Sequence, residues 1–210
     1  MPMRPRNPGG DWPESLRARL YEERVVSLFG RLDDEAVTGA AAELWSLDAL
    51  GDEPISLLLS VSSSTVSAAT ALLDVLDVIG VEVSATCIGG ITGPAVAVLA
   101  GARHRQAAPS ARFVLRDESV RFEGSYRDLE QSVRDHHAQR NELFGRLAEA
   151  TGGRRSLGDV LADFDRGLTL SAEEAQEYGL VERVAPSKHK VVPLPRPATP
   201  FGFHWPDTRR

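Results

Sequence analysis

Three apolar runs constrain this chain more than any other feature: VVSLF (residues 25–29), ISLLLSV (55–61) and VEVSATCI (81–88). Each is followed by a stretch whose apolar residues return with a helical period. After the first, Asp33 opens a helix that places Val37, Ala40, Ala41, Leu44 and Leu47 on one face. Its first turn is acidic, where the helix dipole favours negative charge. After the second run and the serines Ser62, Ser63 and Ser64, a helix is read from Val66 to Ile79. Strand and helix alternating at this spacing predict parallel strands joined by helical crossovers, an α/β fold of repeated β-α units. The continuous apolar run 55–61 predicts a strand buried on both faces.

The third run leads into CIGGITGPAVAVLAGA (87–102), a strand that passes two glycines, turns at Thr92-Gly93-Pro94 and enters an apolar helix. That pattern resembles a nucleophile elbow, in which the turn exposes a side chain and the helix N-terminus offers amides to an oxyanion. The residue at the turn is Thr92, neither serine nor cysteine. Threonine at an N-cap with Pro94 just inside the helix, where a missing amide costs nothing, is the structural reading.

The remaining chain organises around this core. Residues 1–13, rich in proline and glycine, predict a flexible N-terminal arm, and the domain is expected over residues 14–185, starting with a helix carrying Leu16 and Leu20. A short strand is expected within 109–115. The longest helix, 125–150, carries Leu129, Val133, Leu143, Phe144 and Leu147 in one narrow stripe, which predicts a helix that projects. In SAEEAQEYGLVERV (171–184), Ser171 and Glu174 have capping-box spacing, Gly179 stops the helix, and a strand closes the domain. The proline-rich residues 186–210 predict an extended C-terminal tail.

Charge and composition exclude several classes of function. Lys+Arg of 24 against Asp+Glu of 30 gives a net charge of −6, so no nucleic-acid partner is expected. The single cysteine, Cys87, rules out an internal disulfide and lies in an apolar run, as a core residue would. No apolar signal region or membrane-spanning run is found, which predicts a cytoplasmic protein with no membrane partner. His104 in a basic RHR turn, His136 and His137 on the long helix, and His189 and His204 in the tail form no metal or triad pattern. No metal and no cofactor are expected.

Several stretches, in order, resemble the proteolytic subunit of the Clp protease (ClpP), a self-compartmentalised serine peptidase: RLYEERVVSLFGRLDDEAV, CIG and AVLAGA around the elbow, APSARFVL, and SAEEAQEYGLVERV. The resemblance implies the ClpP/crotonase-like fold, with the long helix as a projecting handle between two stacked seven-membered rings. It also implies ClpP paralogue subunits and a Clp ATPase as partners, in homo- or hetero-oligomeric rings.

Carried over position by position, the family's nucleophilic serine falls on Thr92, with one residue missing just upstream. The histidine falls on Arg116 and the aspartate on Gly167. The glycine-rich stretch that shapes the oxyanion hole becomes Val61-Ser62-Ser63-Ser64, so the oxyanion-region positions are Ser63, Ser64 and Gly93. The two glycines of the substrate-pairing strand become Val120-Arg121. Guanidinium stays protonated at any useful pH, so Arg116 cannot act as the base that a hydroxyl nucleophile needs. Asp165-Arg166 matches an acidic-Arg pair that bridges the family's rings, and the aromatic residues of the ATPase-docking pocket match Ser56, Leu58 and Val78.

These replacements predict a catalytically inactive, ClpP-like subunit that assembles with active paralogues and has a structural or regulatory role. Two rivals stand beside it: an active ATP-dependent serine-type endopeptidase using unconventional residues, and an acyl-CoA-binding protein, as the crotonase relationship suggests.

Overall fold

A computed structural model describes residues 14–117 and 119–186. The arm (1–13), the tail beyond Pro186, and the histidines at 189 and 204 lie outside the described residues. The chain begins α1 (Glu14–Glu22), β1 (Val25–Leu32), α2 (Asp34–Leu50), β2 (Ile55–Ser64), α3 (Val66–Val78) and β3 (Val83–Thr92). Side chains mark where the helices start: Asp33 Oδ1 accepts from the Ala36 amide and Thr65 Oγ1 from the Ala68 amide, each at 3.1 Å. Such caps satisfy amides that the first turn leaves without partners. The three strands pair in parallel, as the β-α spacing requires.

β2 is buried on one face, which corrects the expectation for 55–61. Ile55, Leu57, Leu59 and Val61 are buried, whereas Ser56 is exposed and Leu58 half-buried. Covering helices lie on one side: Val37, Ala40, Leu44 and Leu47 of α2 and Ala68, Ala69, Leu72 and Leu73 of α3 join the same core. The serines at 56, 60 and 62 record the period of 2 that the leucines at 57–59 obscure.

At Gly89 and Gly90 the sheet forks. Residues Ser84–Cys87 of β3 pair with β4 (His104–Ala107), and Gly90–Thr92 pair with β5 (Arg112–Leu115), both in parallel. β2 advances two residues, from Leu59 past Ser60 to Val61, while β3 advances four, from Cys87 to Ile91, a bulge that turns the strand's end away from β4. Gly89 makes the turn with φ +72°, a value that side chains disfavour. β4 also corrects the reading of residues 103–105 as a turn, since His104 and Arg105 lie within a strand.

Past the bulge, a 3-10 helix (Gly93–Gly101), here the elbow helix, runs through the middle of the core. All its residues from Gly93 to Leu99 are buried, the expected fate of a helix that is apolar all round. Then come α4 (Tyr126–Ala150), α5 (Leu157–Asp165), β6 (Leu168–Ser171), α6 (Ala172–Tyr178) and β7 (Arg183–Val184). β6 pairs antiparallel with β5, and β7 parallel with β4.

α4 projects as predicted: no residue from Tyr126 to Gln139 is buried, and burial starts at Arg140 and continues at Leu143, Phe144, Leu147 and Ala148. In α6 the capping box forms between Ser171 and Glu174, and Gly179 ends the helix at φ +97°. Cys87 is fully buried, and burial pushes its thiol up to about 12, as in a core residue with no access to thiolate chemistry. Among the described residues, no helix is long and apolar enough to cross a membrane.

Candidate functional site

Strand register assembles the three positions singled out in the sequence. Thr92, the last residue of β3, is the parallel partner of Val114, two residues before Arg116. The antiparallel pairing of Leu115 with Leu168 sets Arg116, one step beyond β5, beside Gly167, one step before β6. A Cβ built on Gly167 would lie 3.1 Å from Arg116 Nε and 3.4 Å from Nη2, so the guanidinium covers the face of this glycine. Gly167 has φ +71°, a second reason for its lack of a side chain. The corner contains hydroxyl, guanidinium and hydrogen where a triad would need hydroxyl, imidazole and carboxylate.

The turn itself is displaced by one residue. Thr92 is extended, at φ −125° and ψ 137°, and the left-handed conformation falls on Gly93, at φ +75°. A Cβ at Gly93 would lie 3.1 Å from Ser64 Oγ and 3.2 Å from the Arg116 carbonyl oxygen, so the space that a presented side chain would occupy is already filled. Thr92 occupies the N-cap position, but its side chain makes no capping bond, which corrects the sequence reading. The cap comes from another strand. Ser64 Oγ accepts from the Ala95 amide at 2.8 Å and donates to the Thr92 carbonyl at 3.0 Å.

Those two bonds also affect oxyanion chemistry. An oxyanion hole needs free N–H donors aimed at one point. Pro94 has no N–H, and the Ala95 N–H is taken by Ser64, whose side chain is buried. Ser62 is likewise engaged, donating to the Gly30 carbonyl at 3.1 Å. Ser63 lies between them on β2, half-buried.

Beyond Arg116 the corner is tied to the handle. Arg140 Nε donates to Asp117 Oδ2 at 2.7 Å and Nη2 to Asp165 Oδ1 at 2.6 Å, while its guanidinium lies 5.2 Å from the centre of the Phe144 ring. Its side chain is 10% exposed, so both carboxylates act on a nearly dry cation. Asp165 and Arg166 therefore each have a partner within the chain: Arg166 Nη2 pairs with Asp163 Oδ1 at 2.6 Å, and buried Asp163 accepts from the Tyr178 hydroxyl at 2.8 Å. Both residues remain largely exposed. Burial, then the Asp163 bond, raises the Tyr178 phenol well above its ordinary range.

Arg140 went unnoticed in the sequence, and Ser64, read there as an oxyanion-region position, was not seen as the cap of the elbow helix. Arg140 left a signal, because it falls three and four residues before Leu143 and Phe144 on the apolar stripe of α4, a charged letter at a buried position. Ser64 left none, since its partners are 28 and 31 residues away.

A cavity of about 530 Å³ opens beside the elbow, lined among others by Pro94, Val66, Asp117, Val120, Phe122 and His136. His136 packs edge-on against Phe122, with ring centroids 5.8 Å apart, and forms no hydrogen bond to the described hydroxyls around it, those of Thr65, Ser67, Ser119 and Ser132. The three positions that the resemblance matches to the ATPase-docking pocket do not line this cavity, with Ser56 and Val78 exposed and Leu58 half-buried.

Comparison with known proteins points to one family. The family model for Clp protease matches residues 10–188. A Streptomyces coelicolor protein described as "ATP-dependent Clp protease proteolytic subunit-like" is 32% identical over 177 residues, covering 81% of this chain and 82% of that protein. On both grounds this chain belongs to the Clp protease family.

Proposed function

We propose that this chain is a catalytically silent subunit of the Clp protease, built into rings with active paralogues to shape the particle rather than to cut peptides. One observation carries the reading: the register brings together Thr92, Arg116 and Gly167, the residues that the resemblance matches to the triad. A hydroxyl becomes a nucleophile only by passing its proton to a base within hydrogen-bond reach. The side chain at the position matched to the family's histidine is a guanidinium, Arg116, which has no lone pair to offer. The occupied Ala95 amide and the missing amide of Pro94 also remove two of the donors that the start of the elbow helix would offer an oxyanion.

The scaffold features that an assembled subunit would use are retained. The handle helix projects, and Asp165 and Arg166 lie exposed at the end of α5. In this reading they bind a neighbouring subunit after exchanging their present partners. The face that meets the ATPase in the resemblance carries serine at position 56, and direct docking of an apolar ATPase loop is not part of the proposal.

A second reading, an active peptidase with unconventional residues, draws on the elbow cavity, where His136 shares a wall with four hydroxyl-bearing side chains. The lack of any hydrogen bond between His136 and those hydroxyls favours the first reading. Native mass spectrometry of the tagged protein purified from its own host separates the two. The silent-subunit account expects mixed particles containing a paralogue with an intact triad, and a homomeric particle that cleaves peptides would overturn it.

A further inference from the structure

At the opposite edge of the sheet from β1, β4 and β7 form a second polar cluster that the proposed function does not use. A cleft of about 280 Å³ is lined there by Ser84, His104, Arg105, Gln106, Glu182 and Arg183, together with Ala85. The Arg105 guanidinium and the His104 imidazole flank the Glu182 carboxylate, and neither contact with it has hydrogen-bond length. Arg105 Nε lies 3.9 Å from Glu182 Oε1, and His104 Nδ1 lies 3.6 Å from Glu182 Oε2.

Both arginines are held in place, with donors to spare. Arg105 is anchored by Nη1 to the Ala150 carbonyl at 2.9 Å, its side chain is 14% exposed, and its buried Nε–H has no acceptor. Arg183 is anchored by Nε to Gln106 Oε1 at 3.1 Å, and Gln106 is itself fixed by donating to Thr86 Oγ1 at 2.7 Å. The terminal nitrogens of Arg183 have no acceptor among the described residues. An arginine on the surface for solubility alone needs no such relay. Immobilised guanidinium forks with unused donors match the planar oxygens of phosphate and carboxylate groups.

We propose that this cleft binds an oxyanion group, a phosphate or the carboxylate of an acidic side chain, between the Arg105 and Arg183 guanidinium groups, with His104 at the rim. Glu182 is the built-in competitor: it neutralises part of the cluster while the cleft is empty and repels an incoming anion. The proposal stands independently of whether the triad corner is silent.

The test is isothermal titration calorimetry of the full chain at low ionic strength, with pyrophosphate and, separately, with a glutamate-rich peptide. Saturable binding at one site per chain is expected for at least one probe. Arg183→Gln should weaken it about tenfold, the scale of one charge-assisted fork, and Glu182→Gln should tighten it. Both residues are exposed, so unchanged circular dichroism melts will show that the variants fold; Arg105→Lys, which keeps the charge but not the fork, should weaken binding too. Binding of pyrophosphate assigns the site to a free oxyanion, and binding of the peptide alone assigns it to a partner's carboxylates. If neither probe saturates, or if affinity is the same in Arg183→Gln and Glu182→Gln as in the parent chain, the proposal is wrong.

Discussion

The elbow and the α6 turn both depend on a glycine with positive φ, yet they are built in opposite ways. α6 is self-contained. Ser171 and Glu174 cap each other across one turn, with the Ser171 amide donating to Glu174 Oε2 at 2.7 Å, and Gly179 closes the helix seven residues after its first. The elbow borrows its parts. Thr92 stands at the N-cap without capping, Ser64 reaches across from β2 to do so, and Gly93 turns where no side chain would fit. Structure preserved for its own sake can be local. At the elbow the turn falls one residue past Thr92, and a hydroxyl from the neighbouring strand fills the space beside it.

This contrast can be broken by mutation. The largest effect is expected at Gly179, where an added Cβ would lie 2.7 Å from the Thr151 carbonyl oxygen and 3.0 Å from its Cα, both backbone atoms that cannot step aside. Gly179→Ala should cost about 3 kcal/mol, combining left-handed strain with overpacking, as read from denaturant unfolding. Next is the handle link. Arg140→Met leaves Asp117, one-third exposed and with a second oxygen already lacking a partner, without its cation. A loss of about 2 kcal/mol is expected, below the full price of a buried pair because solvent reaches both carboxylates.

The sharpest comparison is between the two hydroxyls of the elbow. Ser64→Ala strands a buried amide and a carbonyl and should cost about 1.5 kcal/mol. Thr92→Ala removes a hydroxyl that caps nothing and should change stability by less than about 0.5 kcal/mol. Equal costs at the two positions would mean that Thr92, not Ser64, holds the helix start. The same pair tests activity: neither substitution should change peptide hydrolysis by assembled particles through loss of a nucleophile.

What could be read in the sequence follows the same division. Parallel β-α units, the α6 box, the Gly179 stop and the projecting handle all rest on signals within a turn or two of sequence, and they stand in the structure. The positions that the resemblance matches to the triad also meet, because antiparallel β5 and β6 keep Arg116 and Gly167 at matched offsets from their strand ends. Long-range substitutions were hidden. Nothing near residue 64 reveals that its hydroxyl serves residue 95, and nothing near residue 103 reveals that His104 and Arg105 extend β3's register as a strand. The one-sided burial of β2 was misread for a related reason: three consecutive leucines look alike whether they alternate between faces or not.

The most direct test of the silent-subunit account is intact-mass spectrometry of assembled particles treated with a fluorophosphonate probe for activated serine and threonine hydroxyls. The account predicts that this chain keeps its unmodified mass while any paralogue with an intact triad gains the adduct. An adduct on this chain, mapped to Thr92, Ser63 or a hydroxyl of the His136 cavity, would contradict it and identify the working nucleophile.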